Sequence, residues 1–507
     1  VPQWTSAVGS AQLARLLGPQ RPGSGPDAPA RGGSGGARRT PAYRSLADGI
    51  RTLVLDGRVP VAARLPAERE LAAALAVSRT TVAAAFEELR SEGYLASRRG
   101  AGSWTAMPDG NPLPTGELVP LPPEAADRVL DLGCAALSAP EPYLSRAFEH
   151  ALAELPPYIR THGDYPAGLP VLREAIAERY TARGVPTMPE QIMITTGAMG
   201  AVAALAHLLT PRGERVAVEH PSYANILQLL RRGGARLVPV AMTGEPQGWD
   251  LPAWRQVLRD AAPRMAYVVA DFHNPTGALA DEERRRELVA AARAAGTLLV
   301  ADETMAELPL DPGLALPRPM AAFDAGGSTV ITVGSVSKVI WSGLRIGWVR
   351  ASPEVIRSLV AARAYADLGS PVLEQLAVVG LLSDGSWEEA VAVRRRLARE
   401  YRDALVSALR EHLPDWEFTV PRGGLTLWAR TGGLSGSRVA EAGERLGVRV
   451  PAGTRFGVDG AFEAYVRLPF TLPEALAVEA VKRLARAAEL VRSGGAAGAE
   501  TPRSYVA

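Results

Sequence analysis

The chain has 507 residues, 47% of them apolar and 22% charged, with a formal net charge of +2. That length predicts more than one domain with a sizeable core, and the near-neutral total excludes a protein that holds nucleic acid through its overall field. The single cysteine, Cys134, excludes an internal disulfide and a cysteine metal cluster, predicts no metal centre, and fits a reducing cytoplasm.

Residues 1–40 contain the Gly/Pro/Ser-rich run GPQRPGSGPDAPARGGSGGARRT and read as a flexible segment. The first residues lack the basic, apolar, small-residue order of a secretory signal, and no apolar run along the chain reaches the roughly 18 residues of a membrane helix. A compact unit is expected over 41–106. YRSLADGIRTLVLDG predicts an amphipathic helix with Leu46, Ile50, Leu53 and Val54 on one side and Gly57 at its end. PAERELAAALA predicts a second helix with Pro66 in its first turn. Ala76-Val77-Ser78 then makes a turn, and Ser78 caps a third helix, RTTVAAAFEELRSEG. Helix, short turn and capped helix form a helix-turn-helix, which puts Arg79, Thr80 and Thr81 at the start that meets base edges and phosphates. YLASRRGAGSWTA predicts a two-stranded wing with Arg98 and Arg99 at its tip. A small helical bundle with no DNA role is the plainer alternative.

The segments RLPAERELA, VSRTTV, EELRSEGYL and RRGAGSW together resemble the winged helix of the GntR class. The resemblance implies that Arg64, Arg69, Ser78, Arg79, Thr80, Thr81, Arg98 and Gly100 lie at or near double-stranded DNA. A proline-dense linker is expected over 107–130.

From Asp131 to about residue 490, β-like runs alternate with helical patterns, as in an α/β domain, and residues 491–507 read as a disordered tail. QIMITT, RVAVEH, RLVPVAM, MAYVVADF, TLLVADE and STVITVGS are the candidate strands. IMITTGAMG runs from a strand through Gly197 into a helix, whose free N–H groups at Ala198 and Met199 suit a phosphate. Tyr223 follows RVAVEH and offers an aromatic face to a planar ring. Asn274 follows the strand MAYVVADF, where ligands gather in open α/β sheets, and its amide suits a phenolate oxygen. Asp302 ends another strand, where a carboxylate pairs with a pyridinium N–H. Each of these has a plainer explanation as a turn, a cap or a core aromatic.

The lysines sharpen the case. The chain has only two, Lys338 and Lys482, against an abundance of arginine. Arginine substitutes for lysine in solubility and ion pairing, but a guanidinium does not deprotonate to attack a carbonyl. Lys482 sits in a plain helical pattern. Lys338 sits in SVSKVIWSGLRIGW, with Ser335, Ser337 and Arg345 around it.

NPTG, the strand-end aspartate and SxSKxxxxGLRxG carry a resemblance to the fold-type I aminotransferases, and the whole chain resembles the MocR family, a GntR-type winged helix fused to an aminotransferase-like domain. The fold class expected is therefore multidomain: an α winged helix-turn-helix plus an α/β fold-type I domain. The resemblance implies pyridoxal 5′-phosphate (PLP) as cofactor, held by Lys338 as a Schiff base. It implies a phosphate site at Ser335, Ser337 and Arg345, and a ligand carboxylate at Arg467 in VRLPF. It further implies a homodimer in which Tyr165 reaches the neighbouring site, an operator read as two half-sites, and an effector that is PLP or an amine. Two positions depart from the pattern. Thr304 replaces the usual tyrosine two residues after Asp302, and Asn225 stands where a second carboxylate-binding arginine is expected. A working aminotransferase with a vestigial DNA-binding unit is the rival reading, and an adaptor with a dead cofactor fold is a third.

Overall fold

A computed structural model describes residues 6–18, 41–98, 102–108, 121, 129–242 and 248–493. The expected linker over 107–130 and the tail over 491–507 fall mostly outside these, as do Arg99 and Gly100.

The amino-terminal unit is built from β1 (Ser6–Ala7), α1 (Ser10–Leu17), α2 (Ala42–Leu55), β2 (Ala63–Arg64), α3 (Glu68–Leu75), α4 (Arg79–Ser91), β3 (Leu95–Arg98) and β4 (Gly102–Thr105). Its four strands form one sheet in the order β1-β2-β4-β3. Leu46, Ile50, Leu53 and Val54 of α2 pack on Val82, Phe86 and Leu89 of α4, closing a separate apolar core. Two expectations are corrected. The segment 1–40 is not wholly flexible: Ser6 pairs with Ala63, and α1 buries Leu13 completely in this core. The three leucines of LARLL, Leu13, Leu16 and Leu17, share one helical face and supply the burial that the following Gly/Pro stretch hides from a composition reading. Pro66 lies ahead of α3, not in its first turn, because the N-cap is Ala67.

The second unit opens with β5 (Leu130–Asp131), α5 (Tyr143–Glu154) and α6 (Pro170–Ala182). A central sheet follows, from β6 (Ile192–Thr195), β7 (Arg215–His220), β8 (Arg236–Ala241), β9 (Met265–Val268), β10 (Leu298–Asp302), β11 (Val330–Ser335) and β12 (Gly347–Arg350). The helices α7 (Gly197–Leu209), α8 (Ala224–Arg232), α9 (Leu251–Ala261) and α10 (Glu282–Ala295) lie between its strands in sequence. The spatial order is β6-β12-β11-β10-β9-β7-β8, with only β12 antiparallel to its neighbours. Parallel strands covered on both faces read as continuous apolar runs, and β9 and β11 are buried at every residue. Residues such as Ala217, Ala266 and Leu299 join one large apolar cluster, while Val216, Val218, Met265 and Tyr267 join another. Alternation along β7 and β9 thus places the two sets on opposite faces of the sheet.

The chain continues through α11 (Pro353–Arg363), α12 (Val372–Ser383) and the long α13 (Ser386–His412). A smaller three-stranded sheet follows, ordered β13 (Glu417–Phe418), β14 (Thr426–Arg430) and β16 (Tyr465–Pro469). α14 (Gly436–Arg445) and β15 (Val448–Arg449) intervene, β15 pairing with β5, and α15 (Glu474–Arg492) closes the unit. Among the described residues no helix is long and apolar enough to cross a membrane.

Candidate functional site

Two sites emerge, one in each unit. In the first, Ser78 caps α4: its Oγ accepts from the Thr81 N–H at 3.0 Å and lies 2.7 and 2.8 Å from the Thr80 and Thr81 hydroxyls. This cap fixes the start of α4, and Ala76 in the left-handed region (φ 53) turns the chain out of α3. Arg64, Arg69, Arg79, Thr80 and Arg98 are exposed beside that start or on the wing, and Thr81 is half-buried. Arg79 lies 3.5 Å from Glu68 with its own side chain largely in solvent, where such an ion pair is weak. Arg98 pairs with Gly102 across the wing, and a Cβ at Gly102 would stand 3.2 Å from Arg64 Nε. The guanidinium of Arg64 therefore lies against the wing near its turn.

The second site lies at the carboxyl ends of the parallel strands, where an open α/β sheet gathers its ligands. One pocket is lined by Ala198 and Met199 after β6, Tyr223 after β7, Asn274 after β9, Asp302 ending β10, and Ser335, Ser337, Lys338 and Arg345 after β11. Every cofactor-site position read from the sequence is on that wall. Lys338 is half-buried. Its Nζ donates to the Ala135 carbonyl at 2.7 Å, and burial pulls its ammonium below the ordinary lysine range. Asp302 is buried, and burial pushes its carboxyl upward. The N–H of Thr304 (2.8 Å) and the hydroxyl of Tyr267 (2.5 Å) oppose that shift by donating to its two oxygens.

At the other end of the pocket, Arg345 donates to the carbonyls of Thr196 (3.2 Å) and Ser342 (3.3 Å), beside the first turn of α7. Gly197 has φ +70, and a Cβ on it would stand 2.5 Å from Arg345 Nη2, so only glycine permits this approach. Ser335 Oγ lies 2.8 Å from Ser337 Oγ and donates to the Ile346 carbonyl.

Arg467 is not on the pocket wall proper. It is buried on β16 with its guanidinium 5.0 Å over the Phe456 ring, and it donates to the Gly133 carbonyl. No acidic side chain pairs with it among the described residues, and burial lowers it to about 10. Tyr165 is likewise off the wall, with its ring 5.9 Å from that of Tyr158. Thr304 does line the pocket, so the departure from the usual tyrosine leaves a short hydroxyl there. Asn225 donates to the Tyr223 hydroxyl at 3.2 Å, which holds the ring but supplies no second cation.

Sequence reasoning missed Tyr267. Its signal was available: a tyrosine inside an apolar central strand needs a partner for its O–H. Tyr267 is in register with Val300, two residues before Asp302.

The fit of PLP rests on what the pocket leaves unfinished. Asn274 Oδ1 is buried in its wall with no hydrogen-bond partner among the described residues. A buried carboxylate, an enclosed amine and a glycine-floored helix start with an arginine beside it match a pyridinium nitrogen, an aldehyde and a phosphate. The residues present fit the group.

Comparison with known proteins agrees with both sites. Residues 159–484 match the family described as aminotransferase class I and II, and residues 42–104 match the bacterial regulatory proteins of the gntR family. The HTH-type transcriptional regulator YisV of Bacillus subtilis is 28% identical over 415 residues, spanning 76% of this chain and 84% of that protein. The probable rhizopine catabolism regulatory protein MocR of Rhizobium meliloti is 28% identical over 409 residues, 74% of this chain and 78% of that one. LysN, an alpha-aminoadipate aminotransferase from Thermus thermophilus solved with N-(5′-phosphopyridoxyl)-L-leucine, superposes with a TM-score of 0.67 at 30% identity. It covers 75% of this chain and 96% of its own. Aminotransferases of this class and fold depend on PLP. The chain belongs to the aminotransferase class I and II family and carries a GntR-type DNA-binding domain ahead of it, the two-part architecture of the MocR-type regulators.

Proposed function

We propose that this chain is a PLP-responsive transcription regulator of the cytoplasm, in which residues 41–106 read DNA and residues 131–490 bind PLP. The observation that carries the reading is the pairing, in one chain, of a lysine and a buried carboxylate on one pocket wall with an exposed, capped helix start. Lys338 attaches the cofactor. Asp302, held by Tyr267 and Thr304, keeps the ring nitrogen protonated. Tyr223 stacks on the ring and Asn274 bonds its oxygen. Ala198, Met199, Ser335, Ser337 and Arg345 hold the phosphate. When bound, PLP supplies an electron sink for amine chemistry. Arg467, a buried cation with no acidic ion-pair partner among the described residues, receives the carboxylate of an amino-compound effector.

Arg64, Arg69, Ser78, Arg79, Thr80, Thr81, Arg98 and Gly100 contact the operator. A homodimer is supported by apolar exposure in the segments that flank Tyr165 and Gly369. Ile159, Tyr365 and Leu368 are 69, 96 and 53% exposed, and Gly369 packs against the backbone of Tyr165. Two subunits present two winged helices, and so two half-sites.

The test is binding to DNA upstream of the chain's own gene, titrated with and without PLP at fixed salt, because phosphate contacts make affinity steeply salt-dependent. The expected result is an affinity or footprint that PLP changes and that Lys338→Ala no longer changes. Specific binding indifferent to both PLP and amines would refute the switch. A working aminotransferase is the second reading, favoured by the burial of Lys338, which lowers its pKa in the direction that nucleophilic attack needs. Steady turnover of an amino acid with a keto acid, with no DNA response, would select it.

A further inference from the structure

The DNA-reading unit meets the cofactor unit at the end of α2. The Phe462 N–H donates to the Leu55 carbonyl at 2.9 Å, and His220 Nδ1 donates to the Gly57 carbonyl at 3.1 Å. His220 Nε2 accepts from the Val458 N–H at 3.0 Å, so the ring bridges the two units. Gly57 has φ +66 and abuts the Phe462 ring, where a Cβ would stand 2.1 Å from Cζ. The rings of Phe462 and His220 are 4.7 Å apart and both are buried. Phe462 itself is held at φ +70, a strained conformation for a non-glycine residue, and such strain persists only where its surroundings impose it.

Both residues lead back to the pocket. His220 ends β7, three positions before Tyr223, and the intervening Ser222 N–H donates to the Phe456 carbonyl at 2.9 Å. From Phe462 a chain of rings runs to Trp428 (5.8 Å) and then to Phe456 (5.5 Å), over which the Arg467 guanidinium lies at 5.0 Å. Trp428 and Arg467 are also direct partners across β14 and β16. The pocket wall at Tyr223 and the arginine behind it thus both lead to Leu55 and Gly57 at the carboxyl end of α2, through packed side chains and backbone hydrogen bonds of the kind that carry coupling.

We propose that the contact of Leu55–Gly57 with His220 and Phe462 is a joint through which the cofactor pocket and the DNA-reading unit sense one another: PLP binding tightens the docking of α2, and docking tightens PLP binding. The proposal rests on the PLP reading of the Lys338 pocket. Coupling between two binding events is reciprocal, so it is readable from the PLP side without any operator.

The experiment titrates PLP into the full chain, followed by absorbance, for the wild type, Gly57→Ala and Phe462→Ala. One substitution lies in each unit, so local damage to one unit cannot produce a shared effect. Hydrogen exchange at the Phe462 and Gly57 amides is followed in parallel. The joint predicts that PLP slows this exchange in the wild type. It also predicts that both variants bind PLP about fivefold or more weakly, the lower end of usual coupling, and lose the PLP-dependent protection. PLP uptake with equal affinity in all three folded proteins, and exchange indifferent to PLP, would overturn the joint while leaving the cofactor site standing. A wild type that takes up no PLP would overturn the cofactor reading and the joint with it.

Discussion

Gly197→Ala separates the phosphate cradle from the fold that carries it. Gly197 sits at φ +70, and its missing Cβ leaves room for Arg345, whose Nη2 would be 2.5 Å and Cζ 3.0 Å from that atom. An alanine there incurs the left-handed backbone cost, about 1–2 kcal/mol of stability. It also drives the guanidinium off the start of α7, where it is held by hydrogen bonds to the carbonyls of Thr196 and Ser342. A charge-assisted hydrogen bond to phosphate contributes about 1.5–3 kcal/mol, so PLP should bind roughly tenfold to a hundredfold more weakly. Gly296→Ala is the control. It has φ +67 with nothing within 4 Å of the added Cβ, so it carries the same backbone cost and no steric one. Thermal melts of the apo-proteins should show similar losses for both variants, and PLP titration should separate them. A folded Gly197→Ala protein that binds PLP within twofold of the wild type would refute the cradle.

Three further outcomes are expected. Burial pushes His220 down to about 4, and its Nε2 lone pair is already committed to Val458. The unfolded chain, titrating near 6.5, then takes up the proton first. Stability is full above about pH 6.5 and falls as pH drops toward 4, by about 2 kcal/mol between pH 7 and 5, a slope that denaturant melts should show flattened in His220→Gln. Tyr267→Phe leaves one Asp302 oxygen buried without its donor, which costs about 1–3 kcal/mol. It should weaken PLP binding and move the absorbance of the bound cofactor, and unchanged melts and spectra would show that the hydroxyl is idle. Arg79→Ala should weaken operator binding and lower the slope of log affinity against log salt by about one, measured by DNA titration at several salt concentrations; an unaltered slope would remove Arg79 from the phosphate contacts.

How much of this was legible follows from the range of the forces involved. β11 runs over VITVGS inside STVITVGS as read, because a strand buried on both faces must be apolar almost throughout. The Ser78 cap was legible because its hydrogen bond closes within three residues. Lys338 was legible on chemical grounds, since no other side chain does what a lysine amine does in an arginine-rich chain. Helix α1 was not, because its stability comes from burying Leu13 against distant residues, not from its own eight-residue pattern. Tyr267 was hidden by the same apolar run that made β9 predictable, and its role shows only once the register with β10 is known.

The joint at Gly57 lies furthest from the reach of sequence. A glycine after a helix reads as an ordinary C-terminal cap, and that reading is locally sufficient. Only the fold shows that its missing side chain is also where Phe462 seats and that His220 bonds its carbonyl. One residue thus meets two requirements, one local and one between units. If the joint is real, Gly57→Ala should change PLP binding more than its backbone strain can explain, and Gly296→Ala, equally strained and facing open space, should not.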